Sequence, residues 1–118
     1  MSDVNLIDVQ DALKRVMNNE KLYAKLLTKF KNDNNLKELE DFLAAGDLEK
    51  AKNSVHTLKG LAANLSLLEL HKQVLEMENQ IKAEIAGSNQ IDPNQIKKVA
   101  DVFSLTLIEM DKVIKQYE

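Results

Sequence analysis

Apolar residues recur at three- and four-residue intervals along almost the whole chain, and this periodicity predicts an all-helical fold. A short first helix is predicted by one apolar stripe, formed by Leu6, Val9, Leu13 and Val16. The second helix is predicted over about residues 20–32, after Asn18-Asn19, which can cap its start. A brief third helix follows between Leu36 and Leu43. It ends at Gly46, because glycine accepts the left-handed backbone of a helix stop.

Two longer helices are predicted in the middle of the chain. The fourth spans about residues 48–65, and its apolar residues are spaced 3, 4, 3, 4 and 3 apart at Leu48, Ala51, Val55, Leu58, Ala62 and Leu65. The fifth repeats this pattern from Leu67 to Ile81 after a tight turn. It is broken by the run Ala86-Gly87-Ser88-Asn89-Gln90, so these two helices are predicted to be close neighbours.

The sixth predicted helix has a well-marked start. Asp92 is placed as an N-cap, Pro93 occupies the first helical position, and Gln95 follows the cap at the capping-box spacing. The apolar stripe then continues to Tyr117. Three long amphipathic helices and a preceding one of about thirteen residues most simply form an antiparallel four-helix bundle with short additional N-terminal helices. We expect one domain over residues 1–118.

Composition narrows the class of protein. The chain has 118 residues, 44% hydrophobic and 4% aromatic, which fits one modest core of aliphatic side chains. It contains no cysteine, so disulfides and thiolate zinc ligands are excluded. The net charge of −3 argues against nucleic acid as a partner. No apolar run reaches the roughly 20 residues that span a bilayer. Residues 1–5 lack a secretory signal, so we expect a cytoplasmic protein without a membrane partner.

Most reaction chemistries lack their side chains in this sequence. The three scattered glycines cannot form a phosphate-binding loop, and the zinc motif H-E-x-x-H does not occur. Neither histidine follows a glutamate at the spacing that di-iron bundles use. We therefore expect no metal site and no cofactor of the protein's own.

His56 is the strongest candidate for chemistry. On the fourth helix the apolar stripe faces the core, which leaves His56 toward water. Lys59 leans back toward the imidazole, because helical side chains tilt toward the N-terminus, and Lys52 shares this side of the helix. Gly60 costs about 0.5–1 kcal/mol relative to alanine inside a helix, and it leaves approach space over the ring. A merely solvated surface histidine is the alternative.

Glu78 is an independent candidate on the fifth helix. It lies beside Met77 at the edge of the apolar stripe, where a carboxylate needs a donor. It either extends to the surface or accepts a hydrogen bond across the interhelical groove from an imidazole N–H. The second histidine, His71, has only ordinary neighbours in the sequence, and we assign it no role.

The segment around His56 resembles the motif of a known family. Histidine-containing phosphotransfer (HPt) domains carry H-x-L-K-G-x-A-x-x-L, which is closely matched by residues 56–65, His-Thr-Leu-Lys-Gly-Leu-Ala-Ala-Asn-Leu. The resemblance covers nearly the whole chain. It extends to Met77-Glu78-Asn79, a stretch also seen in phosphoacceptor domains of chemotaxis kinases. Two positions depart from the pattern: Ser66 stands where the family usually has glycine, and Leu61 stands where it usually has a small residue.

The resemblance implies a four-helix bundle whose exposed histidine accepts a phosphoryl group and passes it on. Carried over by position, His56 is the phosphorylated residue and Lys59 stabilises the charge of the phosphate. Gly60 gives steric clearance, and Glu78 orients the imidazole. Such a protein is a phosphoryl carrier without autonomous catalytic activity.

The resemblance also implies the partners. These are response-regulator receiver domains, a histidine kinase, or both, with Mg²⁺ in the receiver. We expect a monomer that docks through Lys52, Leu61, Ala63 and Asn64. One alternative is a degenerate, unphosphorylated bundle that acts as an adaptor or inhibitor. Another is the phosphoacceptor domain of a larger histidine kinase, although Met1 at the start and the lack of a linker after Glu118 favour a stand-alone protein.

Overall fold

The computed structural model describes residues 6–88 and 91–118, and over these residues the protein is all-helical. The helices are α1 (Val9–Arg15), α2 (Glu20–Lys31), α3 (Asn35–Ala44), α4 (Leu48–Asn64), α5 (Leu68–Ile85) and α6 (Pro93–Tyr117). All six match helices expected from the periodicity. The predictions that involve residues 1–5 and the breaker residues 89–90 lie outside the described part of the chain.

The helix starts follow the predicted capping residues. Asn19 accepts a hydrogen bond from the Leu22 N–H at 3.0 Å, and Asp47 accepts one from the Lys50 N–H at 3.2 Å. Before Asp47, Gly46 has a φ of +73°, the left-handed conformation in which glycine carries no steric penalty. The predicted stop after α3 and the predicted start of α4 are therefore confirmed.

The capping box predicted at the start of α6 is wrong. The Asp92 side chain does cap the helix, accepting from the Asn94 N–H at 2.9 Å. The Gln95 side chain, however, is buried, and its Nε2 donates to the main-chain oxygen of Gln73 at 2.9 Å. The Asp92 N–H donates instead to Gln80 on α5. A buried amide needs a partner, so the interface with α5 takes the side chain that the local motif would have used.

The core runs the length of the helices and is almost entirely aliphatic. Helix α4 packs against both α3 and α5, α5 packs against α6, and α6 packs against α2. Fully buried large side chains include Tyr23, Leu27, Leu39, Leu58, Leu70, Met77 and Met110. Over the described residues, no helix combines the length and the hydropathy needed to cross a bilayer.

The turn between α4 and α5, residues 65–67, is tied to the N-terminal part of the chain. The Asp8 N–H donates to the Ser66 carbonyl and the Leu68 N–H donates to the Leu6 carbonyl, both at 2.9 Å. The buried Tyr23 hydroxyl donates to the Leu65 carbonyl at 3.0 Å. These bonds satisfy main-chain groups at the helix ends and fix α5 beside α4. The turn thereby sets which residues of the two helices face each other.

Candidate functional site

The His56 side chain lies on the outside of α4 and is 71% exposed. The helix directs a different face inward, because Ala51, Val55, Leu58 and Ala62 all lie in the core with no exposed surface. His56 follows directly after one of these core residues, so a rigid, well-packed turn of helix carries it. The imidazole is therefore accessible to another protein.

Glu78 lies opposite His56 on α5 and is only 1% exposed. Its position is set by the apolar stripe of α5, because Val74, Met77 and Ile81 around it are fully buried. The carboxylate faces α4, where Oε2 lies 3.1 Å from His56 Nδ1. The side chain does not extend to the surface, and the contact expected from the sequence, an imidazole facing this carboxylate, is present.

The carboxylate determines which ring nitrogen of neutral His56 carries the proton. An ionised carboxylate only accepts hydrogen bonds, so Nδ1 is the donor to Glu78. In this tautomer Nε2 holds a free lone pair. The ring nitrogen with the free lone pair is therefore the one that does not face Glu78.

Three cationic or proton-donating groups surround Glu78. Lys59 Nζ donates to Oε1 at 2.7 Å, and Lys82 Nζ lies 3.8 Å from Oε2, on the same oxygen as His56. Burial raises the pKa of Glu78. The hydrogen bonds from Lys59 and His56, with the charges of Lys59 and Lys82, lower that pKa further than burial raises it, so the pKa lies below its ordinary value. The carboxylate is charged at neutral pH.

Lys59 occupies a different position from the one the sequence suggested. The sequence indicated only that its ammonium group can reach the imidazole, whereas in the structure it bonds to the buried carboxylate, and its side chain is 25% exposed. The physical reason is the burial of Glu78, which makes this carboxylate a stronger attraction for an ammonium group than the exposed ring. Lys59 thus connects α4 to α5 directly beside His56.

Gly60 lies one helical turn after His56, and neither packing nor backbone geometry requires a glycine there. A Cβ added at this position meets no heavy atom within 4 Å. Its φ is also not in the left-handed range, unlike that of Gly46. The space above Gly60 is therefore open to solvent.

The predicted partner-contacting residues of α4 are all at least partly exposed. Leu61 and Asn64 line a groove of about 560 Å³ that also includes Leu26 and Phe30 of α2. Ala63 lines a separate, smaller depression near His71. Lys52 is half-buried near the start of α4 and forms a 3.5 Å ion pair with Glu49.

Two relevant residues were missed by the sequence reasoning. Lys82 stands four residues after Glu78, a spacing at which helical side chains meet, and that spacing was the available signal. Ser66 was noted only as a departure from the family pattern. It has a φ of +58°, a conformation that favours glycine. Across residues 6–88 and 91–118, no cluster of three or more histidine or acidic side chains is arranged to hold a metal ion.

The chain is similar to a known protein family. The family model described as "Hpt domain" matches residues 25–115, which is most of the chain. The chain therefore belongs to the Hpt domain family, whose members are phosphotransfer carriers that interact with receiver domains and kinases in two-component systems. Searches of curated proteins and of solved structures found no match to this chain.

Proposed function

We propose that this protein carries a phosphoryl group on Nε2 of His56, to or from the aspartate of a response-regulator receiver domain or from a histidine kinase. One observation carries the proposal: an exposed imidazole whose Nδ1 lies 3.1 Å from the buried carboxylate of Glu78. That arrangement holds one tautomer and keeps Nε2 free as a nucleophile.

In the proposed reaction, the Nε2 lone pair of His56 attacks the phosphorus of an aspartyl phosphate. The new N–P bond forms as the P–O bond to the aspartate breaks, and that oxygen leaves with the electron pair as a carboxylate. The proton stays on Nδ1, so the ring becomes positively charged. Glu78 stabilises this charge in the way that a buried carboxylate stabilises the imidazolium of a catalytic triad. The reverse path returns the phosphoryl group to a receiver.

Lys59 and the receiver supply the remaining charge stabilisation in this proposal. The loose transition state of phosphoryl transfer places negative charge on the peripheral oxygens, which an ammonium group can offset. Lys59 would leave Glu78 and turn toward these oxygens. We propose that Mg²⁺ belongs to the receiver, that this chain has no cofactor of its own, and that it transfers nothing without a partner.

Contacts of α4 with α5, α5 with α6 and α6 with α2 support an antiparallel four-helix bundle in a single domain, with α1 and α3 added. We propose a monomeric cytoplasmic protein. It docks through the surface around Gly60, together with Lys52, Leu61, Ala63 and Asn64. The groove beside Leu61 and Asn64 supports the α2 side of this surface, since it offers apolar contact area next to the motif.

The decisive experiment is acid-labile labelling by a panel of phosphorylated receiver domains. His56→Gln is expected to abolish labelling while leaving the helical circular dichroism unchanged. The matched control is His71→Gln, which removes the other histidine and is expected to label like the unaltered protein. Labelling that survives His56→Gln would refute the assignment. A chain that no receiver or kinase labels would instead be a binding-only adaptor or inhibitor.

A further inference from the structure

The proposed function gives Lys59 two possible partners, the carboxylate of Glu78 and the phosphoryl group on His56. In the structure its Nζ lies 2.7 Å from Glu78 Oε1, and His56 presents Nδ1 to the same carboxylate. The phosphoryl group would be carried on Nε2, the ring nitrogen that does not face Glu78. Contact with the phosphoryl oxygens would therefore draw Lys59 away from the carboxylate.

Release of Lys59 would leave Glu78 in an unfavourable state. The carboxylate is 1% exposed with Lys59 in place, so it has little solvation of its own to compensate for the lost ammonium group. At that moment the imidazole is still neutral, since its positive charge develops only as Nε2 attacks. Without a cation, the buried carboxyl group would tend to take up a proton, and a protonated carboxyl group no longer holds Nδ1–H in place.

Lys82 is the group that can fill this role. Its Nζ is 3.8 Å from Glu78 Oε2, on the oxygen that faces His56, and it is the remaining lysine within ion-pair distance among the described residues. The side chain extends from the next turn of α5 and is 55% exposed, so it has room to move closer. The two lysines also approach different oxygens, which lets one leave while the other stays.

We propose that Lys82 is a positioning residue that keeps Glu78 ionised and directed at His56 Nδ1 while Lys59 leaves the carboxylate for the phosphoryl group. This inference rests on the proposed function for its consequence. The carboxylate arrangement itself can be tested without any phosphoryl transfer. The two lysines then act as alternates: either one is sufficient for Glu78, and loss of both is not tolerated.

The first experiment measures the His56 tautomer from the ¹⁵N chemical shifts of its ring nitrogens, at a pH where the ring is neutral. Lys59→Met and Lys82→Met are each expected to retain the Nδ1–H tautomer. The double variant is expected to shift to the Nε2–H tautomer, and Lys82→Arg combined with Lys59→Met is expected to restore Nδ1–H. Lys112→Met combined with Lys59→Met is the control, since Lys112 is an exposed lysine paired with Glu109 on α6.

Two results of these tautomer measurements would overturn the proposal. If Lys59→Met alone loses the Nδ1–H tautomer, Lys82 is not a substitute for Lys59. If the double variant keeps it, Glu78 needs neither cation. These results do not depend on phosphorylation, so they stand even where no receiver labels His56 and the proposed function fails.

The second experiment measures transfer from a phosphorylated receiver as a function of receiver concentration. Lys82→Met is expected to lower the maximal rate by about tenfold, the lower end of what loss of an outer partner costs a metal-binding histidine. The receiver concentration at half-maximal rate is expected to stay unchanged. A change confined to that concentration would show that Lys82 contacts the partner, and it would contradict a positioning role.

Discussion

Two polar clusters hold α4 and α5 in place, and they are built in opposite ways: one joins α4 to α5, and the other joins α1 to the turn between them. In the site cluster (His56, Lys59, Glu78 and Lys82) the carboxylate is buried at 1% exposure and the imidazole is 71% exposed. In the turn cluster (Asp11, Arg15 and Ser66) the carboxylate is 46% exposed, while its hydroxyl partner is buried. Ser66 Oγ donates to Asp11 Oδ2 at 2.7 Å, a distance as short as the bond from Lys59 to Glu78.

The difference shows how burial decides what a carboxylate does for its partners. Water can solvate Asp11, whose pKa is lowered first by the hydrogen bond from Ser66 and then by that from Arg15. Glu78 has almost no contact with water, so it stays charged only through its protein partners. We expect the electrostatic interaction of Glu78 with the imidazole to be stronger than the interactions of Asp11 with its partners, because less solvent screens it. We expect changes in the site cluster to alter chemistry, and changes in the turn cluster to alter stability.

The largest effect is expected from Glu78→Gln. Glutamine keeps the shape of the side chain but loses the negative charge that stabilises the ring during attack. Phosphoryl acceptance by His56 should fall by about 100-fold, the lower range for loss of one preorganised electrostatic partner of a transition state. The free energy of unfolding should change by only about 1 kcal/mol, because His56 and Lys59 both have access to water.

The matched control for this variant is Glu76→Gln, an exposed glutamate on α5 that accepts a hydrogen bond from Gln80. Both variants remove one negative charge from the same helix, so a general charge effect would appear in both. Rapid-quench labelling gives the rate, and urea unfolding gives the stability. Equal labelling rates for Glu78→Gln and the unaltered protein would show that the charge of Glu78 has no role in phosphoryl acceptance.

Acid should weaken the fold through both carboxylates. The pKa of Glu78 lies below its ordinary 4.5 in the folded state, so its interactions stabilise the fold above that pH. This stabilisation is lost as the pH falls through the lower, folded-state pKa. Asp11 behaves in the same direction, starting from its ordinary 3.8. Urea unfolding over this acid range should show a shallower pH dependence in Glu78→Gln than in the unaltered protein. Parallel curves would contradict the contribution assigned to Glu78.

A smaller effect is expected in the turn cluster, where Ser66 has a φ of +58°. Ser66→Ala and Ser66→Gly both remove the hydroxyl that bonds to Asp11, so their difference isolates the backbone. The glycine variant should be more stable by about 1 kcal/mol, the cost that a left-handed conformation places on a residue with a Cβ. Phosphoryl transfer should be equal in the two variants.

Chemical unfolding of the two Ser66 variants measures this difference directly. An alanine variant as stable as the glycine variant would show that the backbone at the turn relaxes without cost. A difference in transfer rate between them would show that the turn cluster influences the site, and would weaken the separation between the two regions.

Helix positions were predictable because the local signals and the packing agree. The apolar stripe of α4 sets its buried face and therefore the exposure of His56. Caps such as Asp47 use only hydrogen bonds to residues three positions away. Gln95 was mispredicted because its partner, Gln73, is 22 residues away in sequence and becomes a neighbour only when α5 and α6 pack.

The candidate site was predictable in its members but not in its bonding. The spacing on α4 placed Lys59 beside His56, and the stripe on α5 placed Glu78 at a helix interface. Which carboxylate oxygen meets which cation depends on how α4 and α5 are aligned, and the turn at Ser66 determines that alignment. Lys82 was missed because its importance depends on the burial of Glu78.

The smallest stability effect, and the clearest test of function against fold, is expected at Gly60. Gly60→Ala should raise the free energy of unfolding by about 0.5–1 kcal/mol, because alanine is the better helix former. The added Cβ meets nothing within 4 Å, so no clash offsets this gain. Gly46→Ala is the matched control. It should lower stability by about 1 kcal/mol, since its φ of +73° is unsuitable for a Cβ.

Transfer should respond to Gly60 in the opposite direction from stability. A methyl group one turn from His56 takes up space that a docking receiver needs, and a larger side chain takes up more. Gly60→Ala should slow labelling of His56 slightly, and Gly60→Glu should slow it by at least about tenfold through misplacement of the reacting groups. If Gly60→Glu is labelled at the rate of the unaltered protein, the open space above the helix has no function in docking. Neither docking nor the fold would then explain a glycine that costs stability at this position.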